Sequence, residues 1–333
     1  MTQTRRIGLP EARRLIAAAL VAQGVPDPAA ASVAAALVAA EAEGQGGHGF
    51  SRLGDYAAQV RSGKINAGAR IAVTHRGPSS LLIDADRGFA YPALDAALEA
   101  GIPAACETGA AVMGIANSHH CGALSVQVEK IAQAGLVGIM VANAPKAIAP
   151  WGASTPVFGT NPIAFAAPVA DGPPLVIDLS LSRVARGKVM AAKKAGRSIP
   201  EGWALDPDGQ PTTDPEAALA GTMVPIGGPK GTSLALMVEL LAAAFTGSAF
   251  SHEAASFFDA EGPAPRVGQT LIVLRPEDGF GARTASLLDL IAGMEGTRLP
   301  GARRRAALAE AEADGIEVPI RYLDEAGTLA AGA

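Results

Sequence analysis

Three of the five histidines lie among glycines and small polar residues, where a ring can be approached closely by a ligand. His48 closes Gly44-Gln45-Gly46-Gly47-His48-Gly49, and His119 and His120 sit in Asn117-Ser118-His119-His120-Cys121-Gly122. Imidazole is the side chain best placed to take or give a proton near neutral pH. One of the adjacent pair can equally cap a helix or pack inside the fold. Four residues after His48 comes Arg52, whose planar guanidinium suits a bidentate grip on a carboxylate, unless it is simply a solvated helix arginine. Asp178 ends the apolar run Leu175-Val176-Ile177, so its carboxylate can orient a histidine, pass a proton or cap the next helix. Phe158-Gly159-Thr160-Asn161-Pro162 has the small, hydrogen-bonding residues of a backbone-lined ligand loop. Gly227-Gly228-Pro229-Lys230-Gly231, at a helix start, offers free amides, a positive dipole end and a lysine to an anion. No metal is expected, because adjacent histidines on a strand point to opposite faces and no acid nearby completes a ligand set. Together these residues suit acid–base chemistry on a carboxylate, beside a phosphate-bearing ligand.

Residues 44–49 also read as G-x-G-x-x-G, a dinucleotide fingerprint that requires a strand before it and a helix after it. The preceding run, Pro26 to Glu41, is alanine-rich with apolar positions at Val33, Leu37 and Val38, and Pro28 sits near its first turn. It reads as helix, as does Ser51–Arg61. A helix-to-helix connection is therefore expected, with the glycines forming a hinge that presents His48. Residues 8–63 read as three helices, followed by strands at 71–75 and 80–84, a helix over 91–107 and a strand at 110–115. A helix over 122–134 runs into a buried strand at 136–142. Residues 144–168 read as ordered loop, 175–178 as strand and 183–195 as a basic helix. Residues 196–230 read as a long loop of the kind that covers a site. Helix is expected again over 232–245, strand over 269–275 and helices over 281–296 and 303–314. Strict βαβ spacing is missing, so the expected fold class is mixed α/β without a Rossmann core.

The chain has 333 residues, 49% hydrophobic and 18% charged, which fits a folded protein of two domains or one large one. A net charge of −5 without a basic run argues against nucleic-acid binding. Cys106 and Cys121 show neither metal spacing nor a disulfide framework, which fits a reducing cytoplasm. No apolar run reaches membrane-spanning length, so no membrane association is expected.

At these residues the sequence resembles the type-2 malate/L-lactate dehydrogenase family over about residues 8–325. The carriers are His48-Gly49 with Arg52, Asn117-Ser118 with His120 and Gly122, Phe158 to Pro162, Asp178 followed by Ala185-Arg186-Gly187-Lys188, and Gly228 to Gly231. The resemblance implies a non-Rossmann NAD(P)-binding domain on a largely antiparallel sheet (residues 116–249). A helical and mixed substrate and dimerisation domain (1–115 with 250–333) would accompany it, in a homodimer. It implies hydride transfer from NADPH or NADH to C2 of a small 2-oxo acid, or alternatively of a cyclic 2-imino acid. A histidine-based metal hydrolase is the different-class alternative. Carried over residue by residue, the catalytic groups are His48, His120 and Asp178, and the substrate-binding groups are Arg52 and Thr160. Cofactor contacts fall on His120, Asn143, Ala144, Thr160, Asp178, Leu179, Ser180, Lys230, Gly301 and Arg303. Two departures stand out: Gly47 where the family usually has serine, and Pro300-Gly301-Ala302-Arg303 where an acid often follows. An arginine in place of an acid favours a 2′-phosphate, and so leans the cofactor toward NADPH.

Overall fold

A computed structural model describes residues 3–332. In chain order the elements are β1 (Thr4–Ile7), α1 (Leu9–Ala22), α2 (Asp27–Ala42), α3 (Leu53–Arg61), β2 (Ala72–Gly77), β3 (Ser80–Asp84), α4 (Ala90–Thr108) and β4 (Ala110–Ser118). There follow α5 (Ser125–Gln133), β5 (Val137–Ala142), β6 (Ile163–Ala167), β7 (Leu175–Leu179), α6 (Arg186–Lys194), β8 (Ala204–Leu205), β9 (Pro211–Thr212), α7 (Pro215–Ala220) and β10 (Thr222–Met223). The last are α8 (Pro229–Glu239), β11 (Val267–Leu274), α9 (Phe280–Ala292), α10 (Ala302–Asp314), β12 (Ile316–Pro319) and α11 (Ile320–Ala330).

The main sheet has seven strands in the order β2-β3-β4-β11-β5-β6-β7, and only β3–β4 is parallel. The fold is thus mixed α/β on a largely antiparallel sheet. Period-two alternation decides which side chain enters which core. On β5, Met140 and Ala142 pack with Leu94, Met113, Val128 and Leu271 under α4 and α5, whereas Val141 turns to the opposite face with Leu181 and Val238. A third core joins the two ends of the chain, where α1, α2 and α3 pack on α11 around Ile16, Leu37, Tyr56 and Leu323. Helix α2 is buried on nearly every side, which its small alanines permit.

Several elements differ from the sequence expectation. The stretch 144–168 contains β6, whose alanine-rich run between Pro162 and Pro168 has weak strand propensity and breakers at both ends. Residues 196–230 are not structureless: β8, β9 and β10 form a small sheet closed by α7. Strands β1 and β12 pair with each other across the whole length of the chain, a non-local contact that no local pattern announces. Helix α11, with Leu323, Ala326 and Leu329 buried, was also not anticipated. The helix after β4 starts only at Ser125, and the helical run from Lys230 changes to a π-helical turn over Leu240–Ala244.

Candidate functional site

The hinge between α2 and α3 consists of two short 3₁₀ turns, Gly46–His48 and Phe50–Arg52. Its glycines wrap a side chain. Glu41, on the last turn of α2, accepts the amide of Phe50 at 2.8 Å. A Cβ on Gly46 would stand 2.8 Å from the Glu41 Oε1, and one on Gly49 would stand 2.9 Å from the Glu41 Cβ, with its carboxylate closer still. Gly44 turns the chain at φ +75°, while Gly47 faces open space. The G-x-G-x-x-G string is therefore a collar around a partly buried carboxyl, and desolvation raises that carboxyl above its ordinary range. Ser51 Oγ donates to the Gly46 carbonyl at 2.6 Å and Arg52 Nε to the Gly47 carbonyl at 2.7 Å, which closes the turn that carries His48.

His48 stacks on His120, with ring centroids 5.3 Å apart and planes 18° from parallel. His120 stands just beyond β4, and its Nδ1 lies 2.7 Å from the Tyr56 hydroxyl, itself 3.0 Å from the Tyr91 hydroxyl. Burial, then the charge of Arg52, lowers His48 to about 4. The same two causes, with His48 and His119 added, push His120 well below the usual imidazole range. Both rings are neutral at physiological pH. Arg52 completes the group, holding Asp55 at 3.7 Å and lying 4.7 Å over the Phe258 ring.

His119 does something different. It is buried, its Nε2 meets Gln59 Oε1 at 2.8 Å, and Gln59 Nε2 is spent on the Phe257 carbonyl at 2.7 Å. The packing alternative holds for His119.

Asp178 reaches the site through another residue rather than through a histidine. Its Oδ2 accepts the amide of Ser125 at 2.8 Å, at the start of α5. Ser125 Oγ in turn donates to Glu43 at 2.9 Å, and Gln45 Nε2, three residues before His48, lies 2.9 Å from both. Crowding by protein atoms raises the Asp178 carboxyl to about 6 and the nearby Glu43 adds to the shift, although one side of Asp178 stays open to water. Burial, with Asp178 adding, pushes the Cys121 thiol up to about 12, which leaves it unreactive. Glu43 is itself clamped by Arg304, whose Nη1 lies 2.7 Å from both Glu43 Oε1 and Glu129 Oε2. Among the described residues no group of three His, Cys, Asp or Glu could hold a metal, and no helix is long and apolar enough to cross a membrane.

The other expected residues line the end of β7 and its surroundings. Leu179 ends β7 and Ser180 follows it, with Leu179 exposed, and Thr160 is partly exposed and gives its carbonyl to Leu181 at 2.8 Å. The Ile226 amide bonds Leu181 at 2.8 Å and so brings the start of α8, with exposed Lys230, next to β7. Gly301 lies against the Val176 carbonyl and opens α10, on which Arg303 is exposed. Asn143 is not free in this way. Its amide is committed inside the fold, to Ala249 at 2.9 Å and Gly268 at 2.9 Å. Ala144 meets Gly159 through its carbonyl. Sequence reasoning missed Tyr56, Tyr91, Ser125, Glu43 and Arg304. Tyr56 had a visible signal, since residues 48, 52 and 56 repeat at one helical turn. It also missed buried Glu239, which gathers Asn161 Nδ2 at 2.8 Å and Ser251 Oγ at 2.7 Å beneath the 158–162 loop. Two surface cavities lie off the histidines. One of about 790 Å³ is at Arg14 and Thr328, and one of about 490 Å³ is lined by Trp151 and Met223.

The sequence model described as malate/L-lactate dehydrogenase matches residues 7–325. A (2R)-3-sulfolactate dehydrogenase (NADP(+)) of Chromohalobacter salexigens is 51% identical over 325 residues, 97% of each chain. A Δ1-pyrroline-2-carboxylate/Δ1-piperideine-2-carboxylate reductase of Pseudomonas putida is 40% identical, covering 96% of this chain and 95% of its own. Among solved structures, the Δ1-piperideine-2-carboxylate reductase of Pseudomonas syringae superposes with a TM-score of 0.93 at 38% identity. It covers 98% of this chain and 100% of its own.

Proposed function

Because the chain belongs to the malate/L-lactate dehydrogenase family, we propose that it is an NADPH-preferring oxidoreductase that reduces C2 of a small 2-oxo acid and oxidises the matching 2-hydroxy acid in reverse. The observation that carries the reading is the stacked, neutral pair of His48 and His120 with Arg52 held on the same hinge. The similarity to a sulfolactate dehydrogenase at 51% identity supports an oxo acid that bears a second anionic group.

A nicotinamide dinucleotide fits groups of this chain that the fold leaves unspent. Lys230 has no hydrogen-bond or ion-pair partner among the described residues, and it stands in the first turn of α8, where amides lack intrahelical acceptors. Arg303, likewise without a partner, stands in the first turn of α10, two residues after Gly301, and is assigned the 2′-phosphate. Thr160, Asp178, Leu179 and Ser180 are assigned the stretch of the cofactor between these two cations, and His120 its reacting end. Asn143 and Ala144 contribute through the backbone they hold in place. When bound, the nicotinamide supplies the hydride. The residues of the chain do the rest. Arg52 holds the substrate carboxylate and fixes the face presented. In oxidation the neutral His48 takes the proton of the C2 hydroxyl and becomes imidazolium, and in reduction that imidazolium gives the proton to the C2 oxygen, while Asp178, raised to about 6 and open to water on one side, exchanges protons between the site and solvent.

Reduction of a cyclic 2-imino acid is the second reading. It is favoured by the open space at Gly47 beside His48 and by the 40% identical reductase. A homodimer is supported by α9, which buries none of its residues and exposes Leu287 and Leu290 at 57% and 62%. The core shared by the two chain ends supports joining the first and last parts of the chain in one substrate and dimerisation unit (1–115 with 250–333) apart from a cofactor unit (116–249), with the seven-stranded sheet running through both. A cytoplasmic location fits the free thiols Cys106 and Cys121.

The test is oxidation of NADPH and NADH with oxaloacetate, pyruvate, sulfopyruvate and Δ1-piperideine-2-carboxylate, alongside His48→Ala and Lys230→Ala. Turnover of an oxo acid that His48→Ala abolishes supports the first reading, and preference for the imine replaces it with the second. Absence of turnover together with unquenched Trp151 and Trp203 fluorescence on adding NADPH overturns both.

A further inference from the structure

The hydrogen-bond chain behind His120 has a direction. Tyr91 is 2% exposed, and its hydroxyl has a single partner among the described residues, the Tyr56 hydroxyl at 3.0 Å. If Tyr56 donated to Tyr91, the Tyr91 proton would be buried without an acceptor, at a cost of about 1–3 kcal/mol. Tyr91 therefore donates and Tyr56 accepts. The Tyr56 proton then has one place to go, the His120 Nδ1 at 2.7 Å. A neutral imidazole that accepts at Nδ1 carries its proton on Nε2. That nitrogen has no protein partner among the described residues and is not sealed in the interior.

We propose that Tyr91 and Tyr56 are positioning residues that lock His120 in its Nε2–H form, so that it meets the ligand as a neutral hydrogen-bond donor while His48 exchanges the proton. This rests on the reading that the histidine pair is the site of reduction. The charged and titratable groups facing His120 agree with it. Arg52 from the hinge, the His48 ring stacked on it and His119 beside it on the chain all disfavour an imidazolium there, as burial does. A neutral N–H can polarise a carbonyl without giving up its proton, a role documented for a neutral histidine in triosephosphate isomerase. Such a donor needs a lone pair opposite it. The C2 oxygen of an oxo acid supplies one and so does an unprotonated imine nitrogen, but a protonated iminium does not. The arrangement therefore favours oxo acids over cyclic iminium substrates.

The direct test is ¹⁵N NMR of full-length protein labelled at histidine, with the His120 signals assigned by their loss in His120→Gln. Expected is a protonated Nε2 and a bare Nδ1 in the wild type. Tyr56→Phe should turn this into a mixture or into the Nδ1–H form, and Tyr91→Phe, which takes away the donor that orients the Tyr56 hydroxyl, should shift it the same way to a smaller extent. A wild-type spectrum showing Nδ1–H overturns the proposal, as does a tautomer indifferent to Tyr56→Phe. The wild-type spectrum decides alone if Tyr56→Phe does not fold. The reading needs no turnover, so it stays separate from failure of the functional assignment. Where oxo-acid turnover is measured, Tyr56→Phe should lower kcat about ten- to a hundredfold, as loss of a ring-orienting partner does elsewhere. KM for the cofactor should stay within about twofold. Equal loss on both parameters would mark Tyr56 as merely structural.

Discussion

Arg304→Met tests whether the charged knot behind the hinge holds the site together. Arg304 is the only cation bonded to Glu43 among the described residues. Its side chain is 10% exposed, against 4% for Glu43 and 15% for Glu129. Methionine keeps the length of the stem and removes three hydrogen bonds, at 2.7, 2.7 and 3.1 Å. Taking one partner from a buried pair leaves an uncompensated charge and costs about 3–5 kcal/mol. Glu129 can turn toward water but Glu43 cannot, so the lower end, about 3 kcal/mol, is expected. Urea titration followed by circular dichroism should show the midpoint falling with an unchanged slope. Adding Glu43→Gln should restore at least half of the loss, because the stranded charge is gone. The pH dependence has a fixed sign. Burial already raises Glu43 above 4.5, Arg304 partly offsets that, and removing Arg304 lets it rise further. A carboxyl raised in the fold destabilises it when charged, so the deficit is full above the folded value and fades as pH falls through it. The variant should therefore close on the wild type as pH falls through the raised Glu43 value toward the ordinary carboxylate range. A loss under about 1 kcal/mol, or a deficit that grows in acid, would refute the reasoning.

Gly49→Ala should destabilise by about 1–3 kcal/mol, since its methyl enters the space of Glu41, whereas Gly47→Ala should stay within about 0.5 kcal/mol. A phosphate cradle would show the loss in cofactor KM instead, so thermal melts and cofactor titration on both variants separate the two. Arg52→Lys keeps the charge but loses the planar fork, and steady-state kinetics should show substrate KM up about ten- to a hundredfold with kcat less affected. A fall in kcat alone would place the carboxylate elsewhere. Asp178 is neutral below about 6 and charged above. If it returns protons during reduction, kcat/KM for reduction falls as pH rises through that value, and this limb should vanish in Asp178→Asn. A limb that persists in Asp178→Asn assigns it to another group.

The residues of the site were legible where chemistry is carried by a local string. The hinge betrayed itself because glycines flanked by two helical patterns cannot be a strand-to-helix turn, and the structure adds what they enclose, Glu41. His48 stands out by its glycine neighbours and Arg52 by lying four residues later, and Tyr56 continues the same four-residue step. What was illegible is what meets across sequence. The carboxyl of Glu43, the hydroxyl of Ser125 and the guanidinium of Arg304 come from three helical segments up to 261 residues apart, and no pattern within any one of them signals the others. The same holds for β1 on β12. Strand β6 was lost for a different reason, since its alanines say little about strand or helix and tertiary pairing with β5 and β7 decides.

Strand β11 pairs with β4 on one side and β5 on the other, yet it is synthesised after both. The 124 residues between Ala142 and Val267 must leave the ribosome before the middle of the sheet can be filled. At roughly 5–20 residues per second the gap lasts roughly 6–25 s. During that interval the facing edges of β4 and β5 have no permanent neighbour, and unpaired strand edges of a nascent chain invite association with other chains. Slow translation through 143–266 would lengthen the exposure, and chaperone demand during biosynthesis should track that interval more closely than it tracks the stability of the finished fold.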